Sequence, residues 1–92
     1  MPYNNLEYQY ANLTSGTAQV ATGRGVLHAI TVNTTASGTI KLIDGTSGAT
    51  ANIATLKSAV GEGTYIYDVV FSTGLRIVEG ASSDITVSYS QP

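Results

Sequence analysis

Short strand-like segments separated by polar turns constrain the fold of this chain most strongly, and they are clearest near its end. β-Branched and aromatic residues fill Tyr65–Phe71, Leu75–Glu79 and Asp84–Tyr89, and turns that contain Gly74 and Gly80 separate them. Such residues favour strands, and short turns between them favour antiparallel neighbours. The segments therefore predict three β-strands, and none of them carries the residue pattern of a reaction centre.

The same pattern predicts further strands upstream: Thr17–Thr22, Val26–Asn33, Thr39–Asp44 and Asn52–Leu56. A short helix-like turn is the alternative for the small-residue stretch 49–58. Strict alternation in the second of these strands predicts one face made of Val26, His28, Ile30 and Val32. Because no helical period occurs, the chain predicts an all-β fold, an antiparallel β-sandwich (jelly-roll-like) of about seven short strands.

The first sixteen residues differ from the rest, and they predict an extended N-terminal arm (1–16) before a β-sandwich domain (17–92). Tyrosine offers a large contact area with a hydrogen-bonding tip, which suits docking on a neighbouring surface. The predicted partner-binding side chains of this arm are Tyr3, Leu6, Tyr8, Tyr10 and Leu13. An ordinary first strand with a frayed terminus is the alternative.

Size and composition favour a subunit of an assembly. A chain of 92 residues fits one domain with a thin core, and domains this small usually need a disulfide, a metal or a partner subunit. The absence of cysteine excludes disulfides, and a single histidine excludes a histidine-rich metal site within one subunit. Association with copies of itself is the stabilising device that remains.

The charge balance argues against nucleic acid as a partner. Four basic and six acidic residues give a net charge of −2, with only 11 % charged residues. Nucleic-acid binding needs a basic patch, which this composition does not supply. No apolar run is long enough to cross a bilayer. The start of the chain lacks the features of a secretory signal, so we expect the protein to be made in a cytoplasm and to have no membrane partner.

Two polar residues in predicted strands, His28 and Asp68, are expected to have structural roles. For His28 we expect a hydrogen bond to a backbone carbonyl or to Asp68, because no nucleophile-elbow pattern accompanies it. Asp68 shares its predicted face with Ile66 and Val70, while Tyr65, Tyr67, Val69 and Phe71 point the other way. An acid there needs a partner, for which Arg24, Arg76, Lys41 or a hydroxyl are further candidates.

No catalytic, cofactor-binding or metal-ligating set emerges from the sequence. The remaining acids lie beside glycines or at strand ends, where turns place them. No calcium-loop motif occurs, and a chain of this size has little room for a glycosidase cleft. We therefore predict no enzymatic activity and no cofactor.

Several segments resemble small virion proteins of tailed bacteriophages, of the head-decoration, cement or head-fibre type. The resemblance lies in GVLHAITVN (25–33), IKLIDGTS (40–47), YDVVFSTGL (67–75) and DITVSY (84–89). It covers roughly residues 17 to 90 and carries over no functional residues.

The resemblance implies a capsid decoration protein that assembles, as a trimer, on the outer surface of an icosahedral shell and stabilises it. Its partners would be copies of itself and the major capsid protein, and its location the virion, after synthesis in the host cytoplasm. The alternatives are another virion component, such as a head fibre base, neck or tail protein, and a carbohydrate-binding or adhesin module. An enzyme is the weakest alternative.

Overall fold

Eight β-strands make up the regular structure of the computed structural model, which describes residues 7–92. The strands are β1 (Gln9–Leu13), β2 (Gly16–Thr22), β3 (Gly25–Thr34), β4 (Ile40–Asp44), β5 (Asn52–Leu56), β6 (Gly63–Phe71), β7 (Gly74–Glu79) and β8 (Asp84–Ser90). They form two four-stranded antiparallel sheets, sheet A with the order β1-β8-β3-β6 and sheet B with the order β2-β7-β4-β5. Within the described part of the chain, no helix is long and apolar enough to cross a membrane.

This strand order is that of a jelly roll, because each sheet combines strands from both halves of the chain. The predicted all-β antiparallel sandwich is therefore confirmed. All seven predicted strands are present, with bounds that differ by at most two residues from the prediction. The stretch 49–58 contains strand β5 and not a helix-like turn.

The eighth strand lies in the region predicted as an arm. Gln9–Leu13 pairs with β8 along its full length, from Gln9 opposite Tyr89 to Leu13 opposite Ile85. These residues are thus an edge strand of sheet A, which was the alternative considered for this region. The physical reason is pairing: β8 presents a free ladder edge, and satisfying its backbone groups outweighs the weak strand pattern of β1.

The core lies between the two sheets and is formed by the inward side chains of every second strand position. Its fully buried members include Phe71, Leu27, Ile30, Leu42 and Leu75. Tyr65, Tyr67 and Val69 pack against this core from β6, as their predicted shared face implies. Burying each large aliphatic or aromatic side chain contributes about 1.5–3 kcal/mol, so this layer dominates the stability of the domain.

A β-bulge in β3 changes the predicted face of His28. From Leu27 to Ala29, strand β3 advances by two residues while its partner β8 advances by only one, so β3 contains one extra residue here. Leu27 and Ile30 are both fully buried although they are three residues apart. The prediction that His28 shares a face with Ile30 and Val32 is therefore wrong. The extra residue reverses the alternation and leaves His28 on the outer side of sheet A.

Candidate interaction surface

The outer side of sheet A, which we call the A-face, centres on a second bulge opposite His28. Ala29 pairs with Ile66, and Leu27 pairs with Val69. Between these two pairs, strand β6 has one more residue than β3. Asp68 takes up this extra length with a φ of 50°. A left-handed conformation is uncommon for a non-glycine residue within a strand, but aspartate tolerates it better than most residues.

The two bulges bring His28 and Asp68 into contact. Nδ1 of His28 lies 2.6 Å from Oδ1 of Asp68. Because a carboxylate only accepts hydrogen bonds, Nδ1 carries the proton and donates it. On the outer side the ring of Tyr8 stacks on His28, with ring centroids 4.2 Å apart and an interplanar angle of 15°. The predicted hydrogen bond between His28 and Asp68 is confirmed, and it orients the imidazole within the sheet surface.

Exposed large hydrophobic side chains concentrate on the same face. Among residues 7–92 they are Tyr8, Tyr10, Ile66 and Val70, with exposed fractions of 45, 76, 64 and 50 %. The tyrosines come from β1 and the residue before it, and Ile66 and Val70 from β6. They flank the His28–Asp68 pair from the two edges of sheet A. Clustered exposed apolar side chains mark protein-binding surfaces more often than scattered ones do.

A polar network occupies the other end of the A-face. Nδ2 of Asn12 donates to Oδ1 of Asp84 over 2.7 Å, and Nδ2 of Asn33 donates to the same oxygen over 3.2 Å. Asn33 also donates to Oγ1 of Thr86 over 3.1 Å. These bonds hold strands β1, β8 and β3 together on their outer side. They hold Asp84 in place but leave its negative charge without a basic partner among the described residues.

The outer side of sheet B, which we call the B-face, has the opposite charge. Lys41 lies opposite Val78, and Arg76 opposite Gln19, on strands whose alternate residues are buried. Neither cation forms a salt bridge with a carboxylate within residues 7–92. Arg76 donates to Oε1 of Gln19 over 3.5 Å.

An open cleft of about 480 Å³ lies on the B-face. It is lined by Lys41, Ile43, Ala49, Thr50, Asn52, Thr55 and Val78. Val78 and Ile43 contribute apolar carbon to this lining, and Lys41 contributes a cation. The B-face thus combines this cleft with the cations of Lys41 and Arg76, whereas the A-face combines exposed apolar side chains with the carboxylates of Asp68 and Asp84.

The predicted partner-binding residues differ in where they lie. Tyr3 and Leu6 lie outside the described residues. Tyr8 and Tyr10 lie on the A-face, whereas Leu13 packs against the core and offers little surface to a partner. Sequence reasoning missed Ile66 and Val70 as candidate contacts. Alternation in β6 placed them on the face of Asp68 but did not indicate that this face is exposed.

Groups with shifted pKa values lie away from the A-face. Hydrogen bonds from the backbone N–H groups of Ser72 and Thr73, each 2.8 Å long, lower the pKa of Asp44 below 3.8. Burial raises the pKa of Glu79, whose Oε1 accepts a 2.8 Å hydrogen bond from the hydroxyl of Ser83. Within residues 7–92, no three histidine or acidic side chains are grouped so that they could hold a metal ion.

Comparisons with known proteins locate a similar fold but no family. No protein-family model matches the sequence, and no curated protein sequence does. The fold is similar to the NLP core of Drosophila, with a TM-score of 0.62 and 12 % sequence identity over 92 % of this chain and 97 % of that one. The crystal structure of that core has been described for its pentamer formation and histone binding. At this identity the similarity shows the fold, a β-sandwich.

This finding overturns the predicted function. The similar structure is a histone-binding core that forms a pentamer and not a phage structural protein. The prediction of a capsid decoration protein is therefore wrong, and neither the major capsid protein as a partner nor a trimer has support. The short strand and turn segments on which the phage resemblance rested are common to many β-sandwiches, because alternating apolar residues and glycine-containing turns recur wherever such sheets form. Self-association is the part of the prediction that agrees with the fold neighbour.

Proposed function

We propose that this chain is a non-enzymatic structural module that associates with copies of itself through the A-face. One observation carries the proposal: Tyr8, Tyr10, Ile66 and Val70, the large hydrophobic side chains exposed among residues 7–92, all lie on that face. The broad faces of the domain measure 44 × 28 Å. This leaves room for the roughly 800 Å² that each partner buries in a standard protein–protein interface.

The chemistry of the A-face favours a folded, weakly charged partner over a strongly basic one. Binding a densely basic partner would need a dense acidic surface. The chain has six acidic residues, of which Glu79 is buried and Asp44 is engaged in a turn. Tyrosine and aliphatic side chains around a hydrogen-bonded polar pair are instead typical of protein–protein contacts. A second copy of the chain meets this requirement.

The thin core supplies a further argument for association. A domain of this size buries only about 60–65 % of its unfolded surface, so its own core leaves a narrow margin of stability. Covering Ile66 and Val70 would add about 1.5–3 kcal/mol for each side chain. Association of the folded state also stabilises it by mass action.

Sedimentation velocity and native mass spectrometry over a range of protein concentrations test the proposal. We expect a homo-oligomer of defined order that dissociates on dilution. The double change Ile66→Ser with Val70→Ser should weaken association by more than about tenfold, because it removes about 2 kcal/mol or more of apolar burial per interface. Lys57→Ser, an exposed change in the loop before β6, is the control and should leave association unchanged.

A wild-type chain that stays monomeric at several hundred micromolar would overturn the proposal. A folded Ile66→Ser, Val70→Ser variant that associates as the wild type does would overturn the choice of face. Far-ultraviolet circular dichroism of each variant confirms that its fold is retained.

A further inference from the structure

We infer that the occupant of the A-face is the B-face of the next copy, so that copies join head to tail. The inference rests on the proposed self-association and names the second surface of the contact. It follows from opposite charge and opposite relief on the two outer sides of the same sandwich. Such a heterologous contact differs in kind from a two-fold contact between identical faces, because it continues from copy to copy until a ring closes.

Charge provides the first step. The fixed charges on the A-face are the carboxylates of Asp68 and Asp84, and those on the B-face are the cations of Lys41 and Arg76. Asp68 has a side-chain exposure of 58 %, and His28 is its hydrogen-bond partner, whereas Asp84 is held by amides. Contact between two A-faces would gather like charges in one interface. Contact between an A-face and a B-face would place opposite charges across it.

Shape provides the second step. Ile66 and Tyr10 project from the edge strands of sheet A and are 64 and 76 % exposed. The B-face offers a cleft of about 480 Å³ with Ile43 and Val78 in its lining. An apolar side chain that enters this cleft leaves water and meets apolar carbon on the other side. Contact between two A-faces would instead bring both sets of projecting side chains against each other and leave this cleft uncovered.

Hydrogen-bonding capacity provides the third step. The lining of the cleft includes the polar residues Thr50, Thr55 and Asn52 beside its apolar ones, while the A-face carries Asn12 and Thr86 around Asp84. A polar rim around an apolar centre is the usual anatomy of a specific protein interface. The B-face therefore offers polar partners for the network end of the A-face as well as a recess for its apolar end.

Mixing two interface-defective variants provides the decisive experiment. The first carries Ile66→Glu and Val70→Glu and lacks a functional A-face; the second carries Lys41→Glu and Val78→Glu and lacks a functional B-face. Each variant alone should be monomeric. In an equimolar mixture the intact B-face of the first meets the intact A-face of the second, so native mass spectrometry should show a one-to-one heterodimer and no larger species.

The outcomes separate the two proposals. If the B-face variant associates as the wild type does, the contact joins two A-faces; the head-to-tail inference then fails while the proposed self-association stands. If the wild type itself is monomeric, the proposed function fails. If both variants are monomeric and their mixture stays monomeric, the head-to-tail inference fails as well.

A single substitution and the salt dependence of the wild type test the inference even if the double variants do not fold. Lys41→Glu alone changes an exposed side chain, so the fold should persist, and we expect it to weaken association by about tenfold or more. Raising the ionic strength from about 0.05 to 0.5 M should weaken head-to-tail association, because salt screens attraction between opposite charges. Contact between two acidic A-faces would respond in the opposite direction, and a gain in association with salt would overturn the inference.

Discussion

His28 and Asp68 meet because each lies at a β-bulge, one in β3 and one in β6, and the carboxylate accepts a 2.6 Å hydrogen bond from the imidazole as a result. The bulges reverse the alternation of β3 and give Asp68 a φ of 50°. Bulges also increase the local twist of an edge strand and interrupt its regular edge, which protects it from uncontrolled pairing. The hydrogen bond between the two side chains thus links the two bulges to each other.

The left-handed backbone at position 68 leads to the first prediction. Asp68→Gly and Asp68→Val both remove the hydrogen bond to His28, but only valine carries a β-branched side chain into φ > 0. We expect Asp68→Val to be less stable than Asp68→Gly by about 1–2 kcal/mol. Chemical denaturation at one fixed protein concentration measures the difference.

The opposite order would contradict this account. At an ordinary extended strand position valine is more stabilising than glycine, because valine favours strands and glycine costs more entropy. Equal or greater stability of Asp68→Val would therefore show that residue 68 lies in regular strand conformation.

Burial of Glu79 predicts that stability falls as the pH rises. Glu79 is 6 % exposed, and burial raises its pKa above the ordinary value of 4.5. The folded state therefore binds a proton more tightly than the unfolded state does. The stabilising contribution of protonated Glu79 is complete below about pH 4.5 and is lost as the pH rises through the folded-state pKa.

Glu79→Gln tests this dependence. Glutamine keeps an oxygen that can accept the hydrogen bond from Ser83 and removes the buried charge. We expect the variant to be more stable than the wild type at pH 7, by about 1 kcal/mol, and the difference to vanish near pH 4.5. Thermal melts from pH 4 to pH 8 give both curves. A variant that is less stable than the wild type at pH 7 would show that the carboxylate has a charged partner.

Asp44 predicts the opposite pH dependence. Its carboxylate accepts hydrogen bonds from the backbone N–H groups of Ser72 and Thr73 and joins the end of β4 to the turn between β6 and β7. These bonds lower its pKa below 3.8, so the stabilisation is present at neutral pH and is lost as the pH falls through the lowered folded-state pKa. Asp44→Ala should cost about 1 kcal/mol at pH 7, a modest value because the turn is largely open to solvent.

The measurement is the stability difference between wild type and Asp44→Ala at pH 7 and at pH 2.5. It should shrink at the lower pH, where the wild-type carboxylate is increasingly protonated. Asp44→Asn is the matched control that retains one acceptor oxygen, and we expect an intermediate stability. A difference that is the same at both pH values would contradict the role of the charge.

Close packing at Gly25 gives the fourth prediction. A Cβ at this position would lie 2.5 Å from Cζ of Phe71 and 2.6 Å from the carbonyl oxygen of Ser90. Phe71 is fully buried, so its ring has little freedom to move. We expect Gly25→Ala to destabilise the domain by about 1–3 kcal/mol through overpacking.

Gly61→Ala is the matched control, because the nearest atom to a Cβ there is the hydroxyl of Tyr65 at 3.4 Å. Its effect should stay within about 0.5 kcal/mol. Urea unfolding of both variants provides the comparison. Equal losses at the two positions would show that the contact with Phe71 does not set the cost, because the lower entropy of the unfolded chain favours alanine at both.

Most of the strands could be predicted from the sequence, whereas the candidate surface could be predicted only in part. Alternation in β6 correctly grouped Ile66 and Val70 on one face and Tyr65 and Tyr67 on the other, and the structure shows that the face of Ile66 and Val70 is the outer one. The same reasoning failed for His28, because a bulge depends on the register between strands and alternation within one strand does not report it.

By itself, the sequence determined the all-β class, the positions of seven strands and which residues of β6 share a face. These features follow from local residue chemistry, namely β-branched and aromatic residues at period two and turns that contain glycine. The tertiary structure alone decided that Gln9–Leu13 is a strand, that His28 faces outward to Asp68, and that acidic and basic side chains lie on opposite faces. Each of these depends on pairing between segments that are far apart in the chain, and such pairing is set by the burial of the whole core.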